Sequence, residues 1–512
     1  MAAVNKINSN VVETAYAEES TIKTLPGTPV WRPLDANNFS DFGGSISKVS
    51  RTPFRTDRQL RKGQTVDLEA AGTINHDLVQ LGLQDLLQGF FFADLRTKTE
   101  FGGSSQITNV DGTGEDYEAA SGLDAFDVND LVFASNFTNS ANNGLKTVVT
   151  AAAASLIVIE DLVDEATPPA TAKLVKVGHQ FASGDLEVDF TGSLPKLVTT
   201  TKDLTELGFV AGEIIYIGGD SAATQFATSG MGFARVRSIA TNEIVIDKCQ
   251  QDMVTDNGSG KIIQIFFGRV LKNEVGTDIV RRTYNIERKL GAPDDASPTE
   301  IQSEYLVGAV PNELTINIPT ADKAMMDLAF VAMDVEYRTG VDGVKSGTRV
   351  SQVEESAFNT SSNVPLINLA VVSDTDENPT TLFAYAEELS ITVNNNVSPD
   401  KAVGVLGGFD ASYGNFQVSG SMTAYFQDVT SISAIRDNSD VTLDMHLVKE
   451  NSGISVDIPL LALGDGRLDI TQNEAIRIPL SQEAAIGTGA ITGFDHTMLM
   501  SFYDYLPDVA AA

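Results

Sequence analysis

Residues 66–78 read VDLEAAGTINHDL, and residues 414–426 read GNFQVSGSMTAYF. Aligning Gly72 with Gly420 also pairs Ile74 with Met422, and both stretches have the alternation of a half-buried strand. Each leads into a segment with apolar residues near helical spacing, HDLVQLGLQDLLQGFFF in the first case and FQDVTSISAIRDN in the second. We therefore predict a strand followed by a short helix, present twice.

A second pair of similar stretches occurs in the same order. Residues 305–318 read YLVGAVPNELTINI and residues 458–470 read IPLLALGDGRLDI. We interpret both as an apolar strand, a tight turn and an alternating strand, because Pro, Asn, Asp and Gly favour turns. Two pairs in matching order favour an internal duplication over chance similarity between short strands.

The two pairs are far apart in the first copy and close together in the second, which indicates a long insertion in the first copy. The insertion contains a smaller repeat, FDVNDLV at 126–132 and FVAGEII at 209–215, each followed by two strand-like runs. These runs are LKTVV and SLIVI in the first module and FARVR and NEIVI in the second. We predict two small β-barrel or sandwich modules joined at Pro168-Pro169, preceded by a loop at residues 100–122.

The composition agrees with a mostly β fold, since the chain has 42 Gly and is rich in Val, Ile, Thr and Ser. We expect two tandem β-sandwich units with short flanking helices. Their predicted boundaries are 1–99 for the N-terminal part of the first unit, 100–260 for the inserted modules (about 100–167 and 170–260), 261–360 for the rest of the first unit, and 361–512 for the second unit.

The chain is strongly acidic, with 69 Asp and Glu against 35 Lys and Arg and a net charge of −34. Such a field repels nucleic acid and anionic membranes, so a specific DNA-binding protein is disfavoured. Solubility alone also explains the charge.

The single Cys249 allows no internal disulfide. We expect no membrane association, because the chain has neither a signal-like start nor 18 unbroken apolar residues.

Motifs of catalysis and metal binding are weak. The run at 257–262, NGSGKI, lacks the first Gly and the hydroxyl residue of a phosphate-binding loop, and the acidic run at 374–378 is followed by Pro where a calcium loop needs Gly. We interpret the first as a turn and the second as an exposed loop. No GxSxG elbow or HExxH motif occurs, so we expect no enzyme, metal site or cofactor. We interpret the four histidines as surface or strand residues: His76, His179, His446 and His496.

One dense basic cluster stands out against the acidic background. It comprises Arg51, Arg55, Arg58, Arg61 and Lys62, with Asp57 among them. The cluster has two interpretations, a solvated hairpin or a contact to an acidic neighbouring subunit. Identical acidic subunits repel each other, so their assembly requires local charge complementarity.

Several motifs together resemble phage tail-tube proteins, especially the large duplicated kind of long-tailed siphophages. They are AYAEES at 15–20, PGTPVWRPL at 26–34, RTPF at 51–54, the strand at 414–426 and VDIPL at 456–460. The resemblance covers about residues 1–95 and 260–512, and it does not cover the insertion.

The resemblance implies a structural virion protein that forms stacked rings around a channel for genome DNA. A duplicated chain implies homotrimers with pseudo-hexameric symmetry. The implied partners are other copies of the chain, the tape measure, tail tip and terminator proteins, and viral DNA that passes without specific binding. The implied location is the virion tail, after assembly in the host cytoplasm. Sheets that join between chains leave no exposed edge, which makes such a tube physically plausible.

An acidic lumen would offer phosphates no attractive contacts. We place Asp67, Glu69 and Asp469 on alternating core strands as candidate lumen residues, with ordinary outward-facing strand positions as the alternative. We expect the inserted modules to lie outside the tube, so that deletion of residues 100–260 leaves polymerisation intact.

Three other functions compete with this one. An adhesin or receptor-binding protein would use the inserted modules to contact host sugars or proteins, but the chain has only one Trp, Trp31, and no clear aromatic groove. A secreted β-sandwich hydrolase would need a signal peptide and a convergent pair of acids. The tube of a bacterial injection machine would be a much shorter, single-copy chain.

Overall fold

A computed structural model describes residues 6–104, 106–293, 300–353, 355–373, 375–487 and 494–511. Strands dominate and α-helices are few, which confirms the mostly β prediction. The chain forms two compact units. Unit 1 comprises Met1–Ala93, Gly276–Thr360 and Glu387–Met422, and unit 2 comprises Asp94–Val275, Ser361–Ala386 and Thr423–Ala512. The boundaries of the proposed duplicated units stay predictions.

Strands are numbered in chain order. The strands before residue 276 are β1 (Glu13–Glu18), β2 (Val30–Leu34), β3 (Ala36–Val49), β4 (Gln64–Asp77), β5 (Glu100–Gly102), β6 (Ile107–Asp111), β7 (Asp116–Ala119), β8 (Asp130–Ser135), β9 (Gly144–Ala152), β10 (Ser155–Val158), β11 (Lys173–Gln180), β12 (Glu187–Asp189), β13 (Lys196–Val198), β14 (Ile214–Ile217), β15 (Gly232–Ala240), β16 (Glu243–Cys249), β17 (Gln264–Phe266) and β18 (Arg269–Lys272).

The later strands are β19 (Tyr284–Gly291), β20 (Ile301–Ile318), β21 (Met325–Ala332), β22 (Asp334–Gly340), β23 (Thr348–Arg349), β24 (Leu366–Val371), β25 (Ala386–Asn394), β26 (Ser398–Asp400), β27 (Asp410–Ser412), β28 (Gln417–Tyr425), β29 (Val441–Lys449), β30 (Ser452–Asp465), β31 (Arg477–Ala484) and β32 (Leu499–Tyr503). The α-helices are α1 (Gln84–Phe91) and α2 (Thr430–Arg436). Short 3-10 turns lie at Ser9–Val11, Leu123–Ala125, Ser140–Asn142, Leu204–Leu207, Gly276–Asp278 and Asp508–Ala511.

The strands predicted at residues 66–78 and 414–426 are both present, and each is followed by a helix. The first stretch forms β4, followed by α1, and the second forms β28, followed by α2. Helix α1 is shorter than the leucine spacing suggested, because it begins at Gln84 and leaves Leu78 and Leu81 outside. The predicted order of a strand followed by a helix is confirmed for both stretches, and the duplication itself stays a prediction.

Unit 1 contains two antiparallel sheets that share β20. The first, which we name the covering sheet, has the order β2–β1–β19–β20–β22. The second, which we name the polar sheet, has the order β3–β4–β21–β20–β25. Strand β20 is 18 residues long; its first half pairs with β19 and β22, and its second half pairs with β21 and β25.

The tight turn predicted within residues 305–318 is wrong. Strand β20 continues through it and bends instead, at Gly308 with φ 63° and at a register shift between Pro311 and Glu313. A bulge accommodates Pro311, which lacks a backbone donor. The buried carboxylate of Glu19 accepts the Gly308 backbone N–H at 2.9 Å and so holds the bend.

Helix α1 packs in the interior of unit 1. The Phe90 ring meets the Phe330 ring edge-on at 5.3 Å. Gly89 allows the helix to lie close to β19 and β20, because a Cβ at that position would lie 2.8 Å from both Pro311 Cγ and the Tyr284 hydroxyl. The helix therefore contributes to the core on the apolar side of the polar sheet.

In unit 2, the predicted inserted modules together form a 13-stranded sheet ordered β12–β13–β16–β15–β14–β17–β11–β8–β9–β10–β7–β6, with β5 beside β11. Within the described residues, the first and last strands of this sheet do not pair with each other. The modules were predicted as barrels or sandwiches, and the barrel is therefore not formed. Two apolar cores flank Pro168-Pro169, one drawn from residues 107–174 and the other from residues 181–267.

The loop predicted at residues 100–122 is wrong. This segment forms β5, β6 and β7, and the side chains of Ile107, Val110 and Tyr117 are buried. Strands β6 and β7 form a hairpin around the glycine-rich turn at 112–115. The strands are too short for alternation to show them, and the Gly and Asp residues of the turn dominate the sequence.

The remaining strands of unit 2 form an antiparallel layer, with β24 beside β29, β29 beside β30, and β30 beside both β31 and β32. Strand β18 pairs with β32. A common apolar core joins this layer to the 13-stranded sheet, and it includes Tyr216 and Phe266 with Val448, Tyr503 and Leu506. The insertion is thus packed against the C-terminal strands.

Candidate functional site: a polar sheet face and a basic loop

The polar sheet has one apolar and one polar face. Its apolar face is buried and includes Leu68 and Ile74 of β4, Leu328 and Phe330 of β21, Leu314 and Ile316 of β20, and Ile391 of β25. Its other face is only partly buried or exposed and carries Asp67, Glu69, Thr73 and Asn75 of β4, Asp327 of β21, Glu313, Thr315 and Asn317 of β20, and Ser390, Thr392 and Asn394 of β25. Alternation along each strand produces this division.

Hydrogen bonds run across the polar face from strand to strand. Asn75 Nδ2 donates to Asp327 Oδ1 at 2.7 Å, and Asn317 Nδ2 donates to Asp327 Oδ2 at 3.1 Å. Ser390 Oγ continues the row by donating to Asn317 Oδ1 at 3.0 Å. The Asp327 carboxylate is therefore held between two amides, and four adjacent strands are linked by side chains.

A second row lies beside the first. The hydroxyls of Thr315 and Thr392 are 3.1 Å apart, and Asn394 Nδ2 donates to Glu313 Oε2 at 2.7 Å. The donors of this face are largely directed at neighbouring side chains. The surface therefore presents hydroxyls, amides and carboxylates in fixed positions.

Two of the sequence-predicted acidic residues, Asp67 and Glu69, lie on this face. Lys401 Nζ lies 2.6 Å from Asp67 Oδ2 and 3.8 Å from Glu69 Oε1. The hydrogen bond from Lys401 lowers the pKa of the Asp67 carboxyl, which stays ionised at neutral pH. One lysine thus partly offsets the two carboxylates.

The third predicted acidic residue is placed differently, because Asp469 does not lie on a core strand. Strand β30 ends at Asp465, where Asp465 and Gly466 both have positive φ and turn the chain. Asp469 follows this turn, is exposed, and makes a single bridge to Arg477. The expectation of three acids on alternating core strands is therefore wrong for Asp469.

The basic cluster lies on the loop at residues 50–63 between β3 and β4, which we name the basic loop. Arg51, Arg55, Arg58 and Lys62 are exposed, while Arg61 pairs with Asp57 at 2.5 Å.

The basic loop also displays large apolar side chains. Phe54 has a relative exposure of 108% and Leu60 of 82%, and Val49 and Val66 are exposed where the two strands enter the loop. Clustered exposed apolar groups mark interaction surfaces more often than isolated ones do. The sequence prediction considered only the charges and missed these apolar residues, although they can be read directly from the sequence.

Unit 2 contains a buried ionic cluster that the sequence did not indicate. The guanidinium of Arg235 binds Asp247 at 2.9 and 3.2 Å and also contacts Asp457 Oδ1 at 3.1 Å and Thr442 Oγ1 at 2.9 Å. Burial lowers the pKa of Arg235, but the two carboxylates outweigh burial and raise it. Arg235 therefore joins strand β15 to strands β29 and β30 as a permanent cation.

His446 lies beside this cluster. Its ring stacks on Phe233 at 3.9 Å, its Nδ1 lies 2.7 Å from Ser455 Oγ, and its Nε2 lies 3.2 Å from Asp444 Oδ2. The Lys248 ammonium contacts the same Asp444 carboxylate. Burial, followed by the charge of Lys248, lowers the pKa of His446 to about 3, so the imidazole is neutral.

The expectation of surface or strand histidines holds only in part. His76, His179 and His446 lie on strands, but all four histidines are buried, including His496. His179 Nδ1 lies 3.1 Å from Asp130, which also pairs with Lys176 at 2.8 Å. These residues belong to internal polar networks.

Asp111, Asp116 and Glu118 form an acidic group within the described residues, with ligand atoms within 4.8 Å of one another. Each carboxylate accepts a hydrogen bond locally: Asp111 from Thr113 N–H, Asp116 from Ser155 and Glu118 from Asn109. In the acidic run at 374–378, Asp374 lies outside the described residues. Within the described part of the chain, no helix has the length and apolar character needed to span a bilayer.

The sandwich of unit 1, the bonded polar face and the exposed loop define a structural β protein. The family model described as phage tail tube protein matches residues 9–485. The chain therefore belongs to the phage tail tube protein family, and it is a component of the virion tail. The match also spans the insertion, which the motif resemblance did not cover. No curated protein matches the chain significantly.

Proposed function

We propose that copies of this chain polymerise into stacked rings that form the tail tube of a siphophage, and that the polar face of unit 1 lines the conduit for genome DNA. The bonded polar face carries this proposal. An outward-facing sheet surface with interlinked Asn, Asp, Thr and Ser side chains suits a wall that contacts water and passing phosphates. Because the phosphate backbone binds proteins mainly through Lys and Arg, a face rich in amides and carboxylates gives it little to bind.

The acidic character of the conduit rests on Asp67, Glu69, Glu313 and Asp327. Two of these carboxylates are balanced in part by Lys401, and Asp327 is hydrogen-bonded to two amides. A lumen of moderate negative charge follows from this arrangement. Asp469 stays a candidate for the same lining, contributed from its turn and not from a core strand.

Ring assembly requires sheet edges that can be shared. Strand β3 is the first strand of the polar sheet, and most of its side chains are exposed. Such a strand offers backbone groups for pairing with another chain. In the proposed trimer, two fused sandwich units in each chain give six units around the ring. Tape measure, tail tip and terminator proteins are the proposed partners in the tail, and the host cytoplasm is the proposed place of assembly.

The proposed conduit can be tested by placing a cation on the polar face. Thr73→Lys adds a lysine to this face of β4, whereas Thr150→Lys adds one at an exposed position of β9. We expect both variants to form tubes in negative-stain images. Tubes of Thr73→Lys should slow DNA ejection from virions, whereas tubes of Thr150→Lys should not. Equal ejection by the two variants, or solid rods without an open centre, would contradict the proposal.

A further inference from the structure

We propose that Lys248 and Asp444 condense to an isopeptide bond, which ties the 13-stranded sheet of unit 2 covalently to the C-terminal layer. Lys248 lies near the end of β16, and Asp444 lies in the middle of β29. Their side chains are only 5% and 6% exposed, and Lys248 Nζ is in direct contact with Asp444 Oδ1. This inference goes beyond the proposed function and does not depend on tube formation.

The contact lacks the hydrogen bonds that stabilise an ordinary buried ion pair. A lysine ammonium has three donors, and a buried charged pair is stable only when further hydrogen bonds satisfy its atoms. Within the described residues, neither Lys248 Nζ nor Asp444 Oδ1 has a hydrogen-bond partner. The amine and the carboxyl group therefore meet without the groups that would hold them in their charged forms.

A second buried pair of unit 2 shows the contrast. Lys176 Nζ lies 2.8 Å from Asp130 Oδ2, and the other oxygen of this carboxylate lies 3.1 Å from His179 Nδ1. The backbone N–H of Asp127 also donates to Asp130, at 2.9 Å. Burial raises the pKa of Asp130, but these hydrogen bonds and the charge of Lys176 outweigh burial and lower it. Asp130 stays ionised, so we expect this pair to remain an ion pair.

The strand register gives Lys248 and Asp444 a reason to lose their charges. Lys248 lies directly opposite Arg235 in the pairing of β16 with β15. Asp444 lies directly opposite Asp457 in the pairing of β29 with β30. Like charges in opposite positions repel each other. Because Arg235 already binds Asp457, transfer of one proton from Lys248 to Asp444 relieves both repulsions.

The surroundings of Lys248 favour a neutral amine. Burial, followed by the charge of Arg235, lowers the pKa of Lys248 to about 7, although the carboxylates of Asp457 and Asp247 oppose this change. A large share of the Lys248 side chains therefore carries an unprotonated amine at neutral pH. A lysine amine that is desolvated beside another cation is an activated nucleophile.

The Asp444 carboxyl group is held in place from its other side. His446 Nε2 lies 3.2 Å from Asp444 Oδ2, while His446 Nδ1 lies 2.7 Å from Ser455 Oγ. The imidazole also stacks on Phe233 at 3.9 Å, which fixes its plane. Oδ2 is thus held by His446 and Oδ1 meets Lys248. A neutral imidazole at this distance can pass a proton to or from the carboxyl group.

The reaction is a condensation that changes no oxidation state. The lone pair of the neutral Lys248 amine attacks Asp444 Cγ and forms the C–N bond, and one C–O bond of the carboxyl group breaks. The departing oxygen keeps the carboxyl proton, takes one proton from the amine and leaves as water. The product is a secondary amide between the two side chains, and no oxidant or reductant is needed.

The bond would supply a tie that the chain cannot obtain from cysteines. Its single Cys249 allows no internal disulfide. Strands β16 and β29 are far apart in the sequence, so the amide closes a long loop. A crosslink of this kind restricts the unfolded chain and so favours the folded one.

Mass spectrometry of the denatured full-length chain tests the bond. We expect the unmodified protein to weigh one water molecule less than its linear sequence. A tryptic digest should contain a branched peptide that joins the segment around Lys248 to the segment around Asp444. Lys248→Met should restore the mass of its linear sequence. The matched control Lys176→Met, which removes the lysine of the other buried pair, should keep the loss of one water molecule.

Three results would overturn the inference. The first is the full linear mass for the unmodified protein, both freshly purified and after prolonged storage at neutral pH. The second is a water loss that maps to a linear peptide, as a cyclised aspartate would give. The third is a water loss that persists in Lys248→Met. If Lys248→Met does not fold, the digest of the unmodified protein still decides, because a branched peptide supports the bond and its absence refutes it.

Discussion

Replacement of Arg235 by methionine should destabilise unit 2 strongly. Arg235 is only 2% exposed, and its guanidinium contacts both Asp247 and Asp457. Methionine keeps much of the side-chain volume but leaves these two buried carboxylates without their cation. Removal of one partner from a buried ion pair typically costs about 3–5 kcal/mol. We expect a loss in this range in the free energy of unfolding of unit 2.

Urea unfolding of the unassembled protein, followed by tyrosine absorbance and circular dichroism, would measure the loss. Because the chain has two units, the transition of unit 2 must be resolved from that of unit 1 before a free energy is assigned. Arg235→Lys is the matched control, since it keeps the charge and loses the two-pronged geometry, and it should cost less. A loss below about 1 kcal/mol for Arg235→Met would refute the reasoning, because it would mean that the carboxylates find water or protons at little cost.

Three further predictions concern other contacts. Acidification should destabilise unit 2 through His446, whose pKa is about 3 in the folded chain and near 6.5 in the unfolded chain, so the free energy of unfolding falls as the pH decreases through this window, by about 2–3 kcal/mol at pH 4.5. His446→Gln should therefore reduce the difference between the urea midpoints at pH 7.5 and pH 4.5, and an unchanged difference would contradict this prediction. Deletion of residues 100–260 should yield a protein that aggregates in pelleting assays, because the deletion exposes the core around Tyr503. The sequence predicts instead that polymerisation stays intact, and a deletion protein that is soluble and forms tubes would support that prediction. Gly89→Val should reduce the free energy of unfolding by about 1–3 kcal/mol, and so lower the melting temperature, because the added side chain overlaps Pro311. The control Gly27→Ala should leave the melting temperature unchanged, because its Cβ meets no neighbouring atom.

Local sequence signals predicted the elements that form through local contacts. Alternation around Gly72 predicted β4, leucine spacing predicted α1, and the strand-like runs of the insertion predicted strands β9, β10, β15 and β16, which the structure pairs as two hairpins. In each case the side-chain period and the neighbouring turn are contained within a few residues. The motif resemblance to tail-tube proteins was confirmed by the family match.

Non-local features could not be predicted in this way. Pro311 and Asn312 look like turn residues, but pairing with four other strands keeps β20 extended. Arg235 and Asp457 are 222 positions apart, so nothing near either residue reveals their contact. The polar sheet face likewise depends on β4, β20, β21 and β25 lying side by side. Only Asp67 and Glu69 of that face were selected from the sequence, whereas the central carboxylate of Asp327 was not.

Strand β20 has a mechanical consequence for unit 1. A force that pulls the polar sheet along its strands acts on the same backbone that is hydrogen-bonded into the covering sheet. The two layers therefore cannot slide past each other, as layers joined only by side chains can. Rupture of either layer must load the other through Gly308 and the Glu19 carboxylate that holds it. Under tension, unit 1 should thus yield in a single step, as one stiff element.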